Sequence, residues 1–261
     1  MLTKNTIRFI RSLEHKKYRD LHHCFVAEGS KMGEALLESS LVCQSLYALP
    51  GWLSCQPRSK LHNALEINEV NEEELAKISF LKTPNQVLLI MKKPAAIALP
   101  VPAENDLILA LDEIQDPGNL GTIIRLANWF GIKHVICSNG TADVYNPKTV
   151  QSTMGSIMNV KTHTTDLYPY LSKIKGEMPG IQIFGTFLDG EDLYENPPVP
   201  QGIIVMGNES RGISPQLSAL ISHKLFIPCF EEKNSGIESL NVSIATAIIC
   251  SEFRRLARKL Q

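Results

Sequence analysis

Ser239-Leu240-Asn241-Val242-Ser243 stands at the head of the last and longest helical pattern of this chain, which spans residues 240–260. Two other polar, glycine-bearing stretches lie upstream: Asn119-Leu120-Gly121-Thr122-Ile123-Ile124-Arg125, and Met206-Gly207-Asn208-Glu209-Ser210-Arg211-Gly212-Ile213-Ser214. Each of the three sits where an apolar run meets a helical pattern. In sheets built from parallel strands, ligands settle in the crevice outside the carboxyl ends of the strands. The three stretches are therefore read as the loops of one site.

Working outward, the chain beyond residue 106 alternates strictly. Residues 107–112, 134–137, 181–187, 202–206 and 225–227 are apolar runs of strand length, and a short strand is centred on Val160. Between them fall helical patterns at 122–130, stopped by Gly131, and at 148–158, 167–174, 215–222 and 240–260. Continuous apolar strands alternating with helices predict an α/β fold with a parallel sheet covered on both faces. Pro100 and Pro102 punctuate residues 96–106, which read as a linker. Residues 1–95 form a small α/β module. It carries a helical pattern on Ile7, Ile10, Leu13 and Tyr18, strands at 24–27, 46–49 and 87–91, and helices at 31–39 and at 72–78 begun near Asn71.

The bulk composition excludes more than it selects. The chain has 261 residues with a net charge of −1, so no global basicity announces a nucleic acid. Basic residues nevertheless cluster in the first 23 positions (Lys4, Arg8, Arg11, Lys16, Lys17, Arg19) and near the end of the last helix (Arg254, Arg255, Arg258, Lys259). Such clusters are either solvated helix faces or local phosphate-binding patches. None of the six cysteines forms a C-x-x-C pair or lies near a histidine at metal-ligand spacing. Cys137 and Cys250 sit in apolar runs as small buried hydrophobes. A reduced, cytoplasmic setting without metal is expected, with no signal core and no membrane span. No Gly-x-Gly-x-x-Gly follows the first strand of the second region, and the chain has neither Gly-Lys-Ser/Thr nor Gly-x-Ser-x-Gly. Dinucleotide, P-loop and serine-elbow chemistries lose their signatures.

Three motifs in order remain: Asn119-x-Gly121-x-x-x-Arg125-x-Ala127; Gly207-x-Glu209-x-x-Gly212; and Ile227-Pro228 followed by Ser239-Leu240-Asn241-Val242-Ser243-x-Ala245 with Glu252 and Arg255. Together they resemble the SpoU (TrmH) family of RNA ribose 2′-O-methyltransferases, in the SPOUT superfamily, over residues 107–261. Leu13-x-x-x-Lys17-Tyr18-Arg19, Phe25-x-x-Glu28-Gly29 and Ser79-Phe80-Leu81-Lys82-Thr83-Pro84 resemble the substrate-binding domain joined to many such enzymes, which is similar to an RNA-binding ribosomal-protein fold.

The resemblance implies S-adenosyl-L-methionine as cofactor, a C-terminal trefoil knot, a homodimer with its active site near the subunit interface, and structured RNA, ribosomal rather than transfer RNA, as substrate. Its rivals are a tRNA 2′-O-methyltransferase and a non-catalytic RNA-binding assembly factor of the same fold. It places backbone groups of Gly207, Ile227 and Leu240 on the donor and the Thr186-Phe187-Leu188 turn on the adenine side. Core packing is the plain alternative for Ile227 and Leu240. Arg125 is placed at the catalytic centre. A guanidinium keeps its proton above about pH 12, so a fixed cation that grips phosphate and stabilises the developing alkoxide is easier than a literal base. Asn119 would cap its helix and orient RNA or arginine. Glu209 would hold loops or position Asn119 and Arg125. Ser239 and Asn241 would serve as helix caps and as neighbours of donor and substrate. Lys16, Lys17 and Arg19 would contact RNA phosphates. The loop from Cys229 to Glu238 is longer and more acidic than is usual in the family, which leaves donor contacts there open.

Overall fold

The computed structural model describes residues 1–103, 105–195, 198–230 and 239–259. The acidic part of the loop at 231–238, and Leu260 at the end of the apolar stripe of the last helix, lie outside the described residues.

In chain order the elements are α1 (Lys4–Ser12), α2 (Lys16–His22), β1 (Cys24–Glu28), α3 (Ser30–Glu38), β2 (Cys43–Ala48), α4 (Pro50–Ser54), α5 (Arg58–Leu61), β3 (Ile67–Glu69), α6 (Glu72–Ile78), β4 (Val87–Lys92), β5 (Leu107–Leu111), α7 (Pro117–Trp129), β6 (His134–Cys137), α8 (Pro147–Thr153), β7 (Lys161–Thr164), α9 (Leu167–Glu177), β8 (Ile183–Asp192), β9 (Gly202–Met206), α10 (Pro215–Ser218), β10 (His223–Phe226) and α11 (Val242–Lys259). They divide into two compact units. One comprises Met1–Ala96 with Asp143–Met158, the other Ile97–Ala142 with Asn159–Gln261.

The first unit is built on a four-stranded sheet of order β1-β4-β2-β3, in which β4 runs antiparallel to β1 and β2, and β3 parallel to β2. Its core gathers Ile10, Leu13, Val26, Tyr47, Leu75, Ile78, Leu88 and Ile90. The helix expected from Asn71 starts there with a complete capping box: Asn71 accepts from the Glu74 backbone and Glu74 accepts from that of Asn71. The basic helical pattern at the N-terminus is two helices. Leu13 caps the end of α1, and His23 caps that of α2 in the left-handed region (φ 50°).

The second unit holds a six-stranded sheet of order β10-β8-β9-β5-β6-β7, every neighbouring pair parallel. The central strands β5 and β9 are apolar and buried along their whole length because both faces are covered, whereas the outer strands β7 and β10 are polar and partly exposed. Ile183 packs in a cluster with Leu167, Leu171 and Ile174 of α9 and Leu217 of α10. Its neighbour Phe184 meets Phe253 of α11 edge-on at 4.9 Å. Successive side chains of a strand point to opposite faces, so α9 and α10 lie on one face and α11, packed on α7, on the other. Val242, Ile249 and Phe253 of the last helix are core, whereas Ile244 is exposed. Cys137 and Cys250 are buried free thiols, each pushed up to about 12 by burial.

Several expected boundaries shift for physical reasons. α7 begins at Pro117, not 122, because Asp116 caps it and proline suits the first helical position. The helix expected over 148–158 ends at Thr153. Met154 takes a left-handed conformation (φ 49°), and a 3-10 turn follows over Ser156–Met158. α10 is a short helix ending at Ser218, not 222, and the strand expected at 225–227 covers His223–Phe226, leaving Ile227 just beyond it.

Candidate active site

The strand order reverses at β5. From there the chain runs outward through β6 to β7, whereas β9, β8 and β10 occupy the other side. The crevice at such a reversal is where open parallel sheets bind ligands. The loops that follow β5 and β9 meet there, and the start of α11 joins them.

Their side chains form one chain of hydrogen bonds. Asn119 Nδ2 donates to Glu209 Oε1 at 2.9 Å, and Asn241 Nδ2 donates to Asn119 Oδ1 at 3.1 Å. Asn241 Oδ1 in turn accepts from Ser243 N at 2.9 Å and Ser243 Oγ at 2.6 Å. The amide orientations follow from this network. A carboxylate only accepts, so Asn119 must turn its NH₂ towards Glu209. That leaves its oxygen for Asn241, whose own oxygen is occupied by the α11 terminus. Asn241 thus caps a helix, as expected, and also bridges to Asn119. Ser239 lies exposed two residues earlier.

Asn119 does not cap α7, contrary to expectation. Asp116 does, its Oδ1 accepting from Asn119 N at 2.9 Å. Asn119 stands in the first turn, and this frees its side chain for the two other loops. Leu120, Ile123, Ile124 and Ala127 bury the opposite face of the helix, which turns Arg125 outward, exposed and outside the hydrogen-bonded chain. Arg254 of α11 holds the far end of α7, donating from Nε to Phe130 O (2.6 Å) and from Nη2 to Gly131 O (3.2 Å).

The loop after β9 is shaped by residues whose roles the sequence did not announce. Asn208 pairs through its backbone with Gly212, accepts at Oδ1 from Ser210 N and Arg211 N, and donates from Nδ2 to Glu113 O at 2.8 Å. Arg211 pairs with the Glu113 carboxylate, and Ser214 N donates to Asp112 Oδ2 at 2.8 Å. The tight fold explains Gly207: a Cβ there would lie 2.3 Å from the Gly212 carbonyl carbon. Its lack of a side chain is required by the loop itself. The Asp116-Pro117 pair was a legible helix-start signal. Asn208 lay inside a quoted motif with nothing to mark its bonds.

Among the candidate donor contacts, Thr186, Phe187 and Leu188 fall in a bulge of β8. Lys224 pairs with Gly185 and the next residue, Leu225, with Glu191, so 186–190 bow out of the sheet. Lys224 sits 4.7 Å over the Phe187 ring. Leu188 and Leu240 are exposed, and Ile227 is half-buried. Apolar side chains in the bulge of β8, just after β10 and just before α11 suit an adenosine-bearing sulfonium donor. Among the described residues no cluster of three or more histidine, cysteine or acidic side chains could hold a metal ion, and no helix is long and apolar enough to cross a membrane.

Arg19 corrects the expected RNA-binding set. It is 1% exposed. Its guanidinium donates from Nε and Nη2 to Asp143 Oδ2 (2.9 and 2.6 Å) and from Nη1 to the carbonyls of Leu13 (2.8 Å) and Glu14 (2.6 Å). Nearly all its donors are consumed within the first unit, so it cannot serve as a surface phosphate contact. Lys16 and Lys17, on the same helix, are exposed.

Residues 106–251 match the family described as SpoU rRNA Methylase, and residues 4–89 the MRM3-like substrate binding domain. The chain belongs to the SpoU rRNA methylase family. It is 28% identical to the 23S rRNA (guanosine(2553)-2′-O)-methyltransferase RlmP of Bacillus subtilis, over 94% of each chain. It superposes on a TrmH-family structure from Porphyromonas gingivalis with a TM-score of 0.84 at 40% identity, covering 98% of this chain and 99% of that one. The AdoMet-bound rRNA methyltransferase of Sinorhizobium meliloti gives 0.83 at 28% identity, covering 98% and 96%.

Two substitutions separate the roles of Asn241. Aspartate caps helices as well as asparagine but cannot donate to Asn119. Asn241→Asp is expected to keep the melting temperature of the parent and to lose roughly tenfold or more in methyl transfer, about the 1.4 kcal/mol of one hydrogen bond to a positioned group. Asn241→Ala should lose both, with about 1 kcal/mol of stability. Equal activity of Asn241→Asp and the parent would show that the bond to Asn119 has no part in catalysis.

Proposed function

We propose that this protein transfers a methyl group from S-adenosyl-L-methionine to a ribose 2′-hydroxyl of ribosomal RNA. The observation that carries the reading is the chain Asn241–Asn119–Glu209, which ties the three motif loops into one rigid group at the strand reversal. In this reading the SpoU fold of residues 107–261 is the catalytic domain, residues 1–95 bind RNA, and 96–106 link them. The C-terminal trefoil knot, the homodimer and the cytoplasmic setting belong to the same proposal.

The donor supplies an activated methyl group with an excellent leaving group, and the protein's task is alignment. Thr186, Phe187, Leu188, Ile227, Leu240 and the Gly207 backbone would hold the donor. Asn119, fixed by Glu209 and Asn241, would orient the ribose. Arg125 would hold the adjacent phosphate and stabilise the hydroxyl oxygen as its proton passes to solvent water. Positioning of reactants is worth up to about 7–11 kcal/mol of barrier in ideal cases.

The test is transfer of tritiated methyl from S-adenosylmethionine to total RNA of a strain lacking this gene. The expected product is label in one large ribosomal RNA with a single phosphodiester made resistant to alkali, because a methylated 2′-oxygen cannot attack its phosphate. Label confined to transfer RNA, or absent from both naked RNA and ribosomal precursors, would overturn the proposal.

A further inference from the structure

The first unit contains a groove of about 380 Å³ whose lining includes Arg11, Glu14, Phe80, Lys82, Asn146 and Lys148. A second hollow of about 180 Å³ shares Phe80, Leu81, Pro147 and Lys148 with it. None of these residues belongs to the methyl-transfer site. The Arg11 guanidinium lies 4.9 Å from the centroid of the Phe80 ring and is fixed there by donation from Nη1 to Ser79 O at 2.6 Å. The segment is pinned from below by the buried Glu28 carboxylate, which accepts from Ser79 Oγ at 2.5 Å and from Phe80 N at 2.8 Å. The result is a preorganised stack of guanidinium over ring, which a further planar group can extend. Arg11, Lys82 and Lys148 line the groove together with the carboxylate of Glu14, and the Glu28 carboxylate lies beneath.

We propose that this groove receives one unpaired nucleotide of the RNA substrate, its base stacked on the Arg11–Phe80 platform and its phosphate held by Lys82 and Lys148. Splayed RNA bases stack on aromatic rings and on arginine planes, and lysines neutralise the backbone. The volume lies within the range of pockets that enclose small ligands, about 300–1,000 Å³. An acidic peptide would satisfy the charge but has no planar group for the platform. The inference rests on the reading of the protein as an RNA methyltransferase, and it adds the place and the single-stranded form of the contact.

Fluorescence anisotropy of the full-length protein tests it, with a short single-stranded oligoadenylate and a short blunt RNA duplex as probes, between about 50 and 200 mM salt. Phe80→Ala is expected to weaken binding of the single strand about 5- to 150-fold, the measured range for loss of one stacked base. Lys82→Gln should lower the log–log salt slope by about 0.7. Duplex binding should change little in either variant. Phe80 also packs against the core of this unit, so Lys82→Glu at an exposed position supplies a reading independent of folding, with an expected loss on the single strand. Unchanged single-strand binding in both Phe80→Ala and Lys82→Glu overturns the groove. So does an equal loss on the duplex, which would mark a diffuse field. A parent protein that methylates ribosomal RNA while these variants bind normally leaves the catalytic reading standing and removes only the groove.

Discussion

Arg125→Ala is expected to lower the rate of methyl transfer roughly 10²–10³-fold, the usual consequence of removing one fixed group that stabilises developing charge. Donor binding and stability should stay as they are. The structural grounds are specific. α7 is held at one end by Asp116 and Pro117 and at the other by Arg254 on the Phe130 and Gly131 carbonyls. Its apolar face is buried, so the backbone that carries Arg125 does not depend on the side chain it presents to solvent. Exposed substitutions of this kind usually change stability by no more than about 0.5 kcal/mol. Arg125→Lys keeps the charge but loses the planar two-pronged donor, and an intermediate rate is expected if the arginine grips phosphate. The measurements are single-turnover transfer of tritiated methyl and calorimetric titration with S-adenosylmethionine. A near-parental rate for Arg125→Ala would remove Arg125 from the centre and leave Asn119, Glu209 and Asn241 to act without a cation.

What the sequence disclosed and what it concealed divide along physical lines. Periodicity is a local property, and it placed the central strands closely: the run read at 107–112 is Leu107–Leu111, and that at 202–206 is Gly202–Met206, whereas the strand read at 181–187 runs on to Asp192 and the one centred on Val160 begins only at Lys161. Short elements carry too few residues for a period, and β3, α4 and α5 were not foreseen. The left-handed Met154 broke a pattern that continued on paper. In the candidate site, motif order identified Asn119, Glu209 and Asn241, but their bonds span 90 and 122 residues and exist only after folding. Which residue caps α7 turned on Asp116, three positions before the asparagine that motif reading favoured.

Arg19 shows the same limit most sharply, and it carries the largest expected effect on stability. On the sequence it is one of six basic residues in a surface-like stretch. In the fold it lies on the inner face of α2, where it binds Asp143, 124 residues away, and two carbonyls at the end of α1. The last residues of a helix leave carbonyls without partners, so one guanidinium satisfies a helix end and a carboxylate at once. Removing one member of a buried ion pair strands the other, at a cost of about 3–5 kcal/mol. Arg19→Ala and Asp143→Ala are each expected to fall in that range. Asp143→Ala should also loosen the turn before α8, because Asp143 Oδ1 accepts from Tyr145 N. The two tryptophans make the measurement direct. Trp52 is buried in the first unit, and Trp129, in the second, is 83% exposed and changes little on unfolding. Urea denaturation followed by Trp52 fluorescence therefore reports the unit that holds the pair. Arg19→Met combined with Asp143→Asn should recover part of the loss, since neither charge is then left buried alone. Stability of Arg19→Ala within about 0.5 kcal/mol of the parent, the range of ordinary surface changes, would return Arg19 to the solvated face from which the sequence drew it.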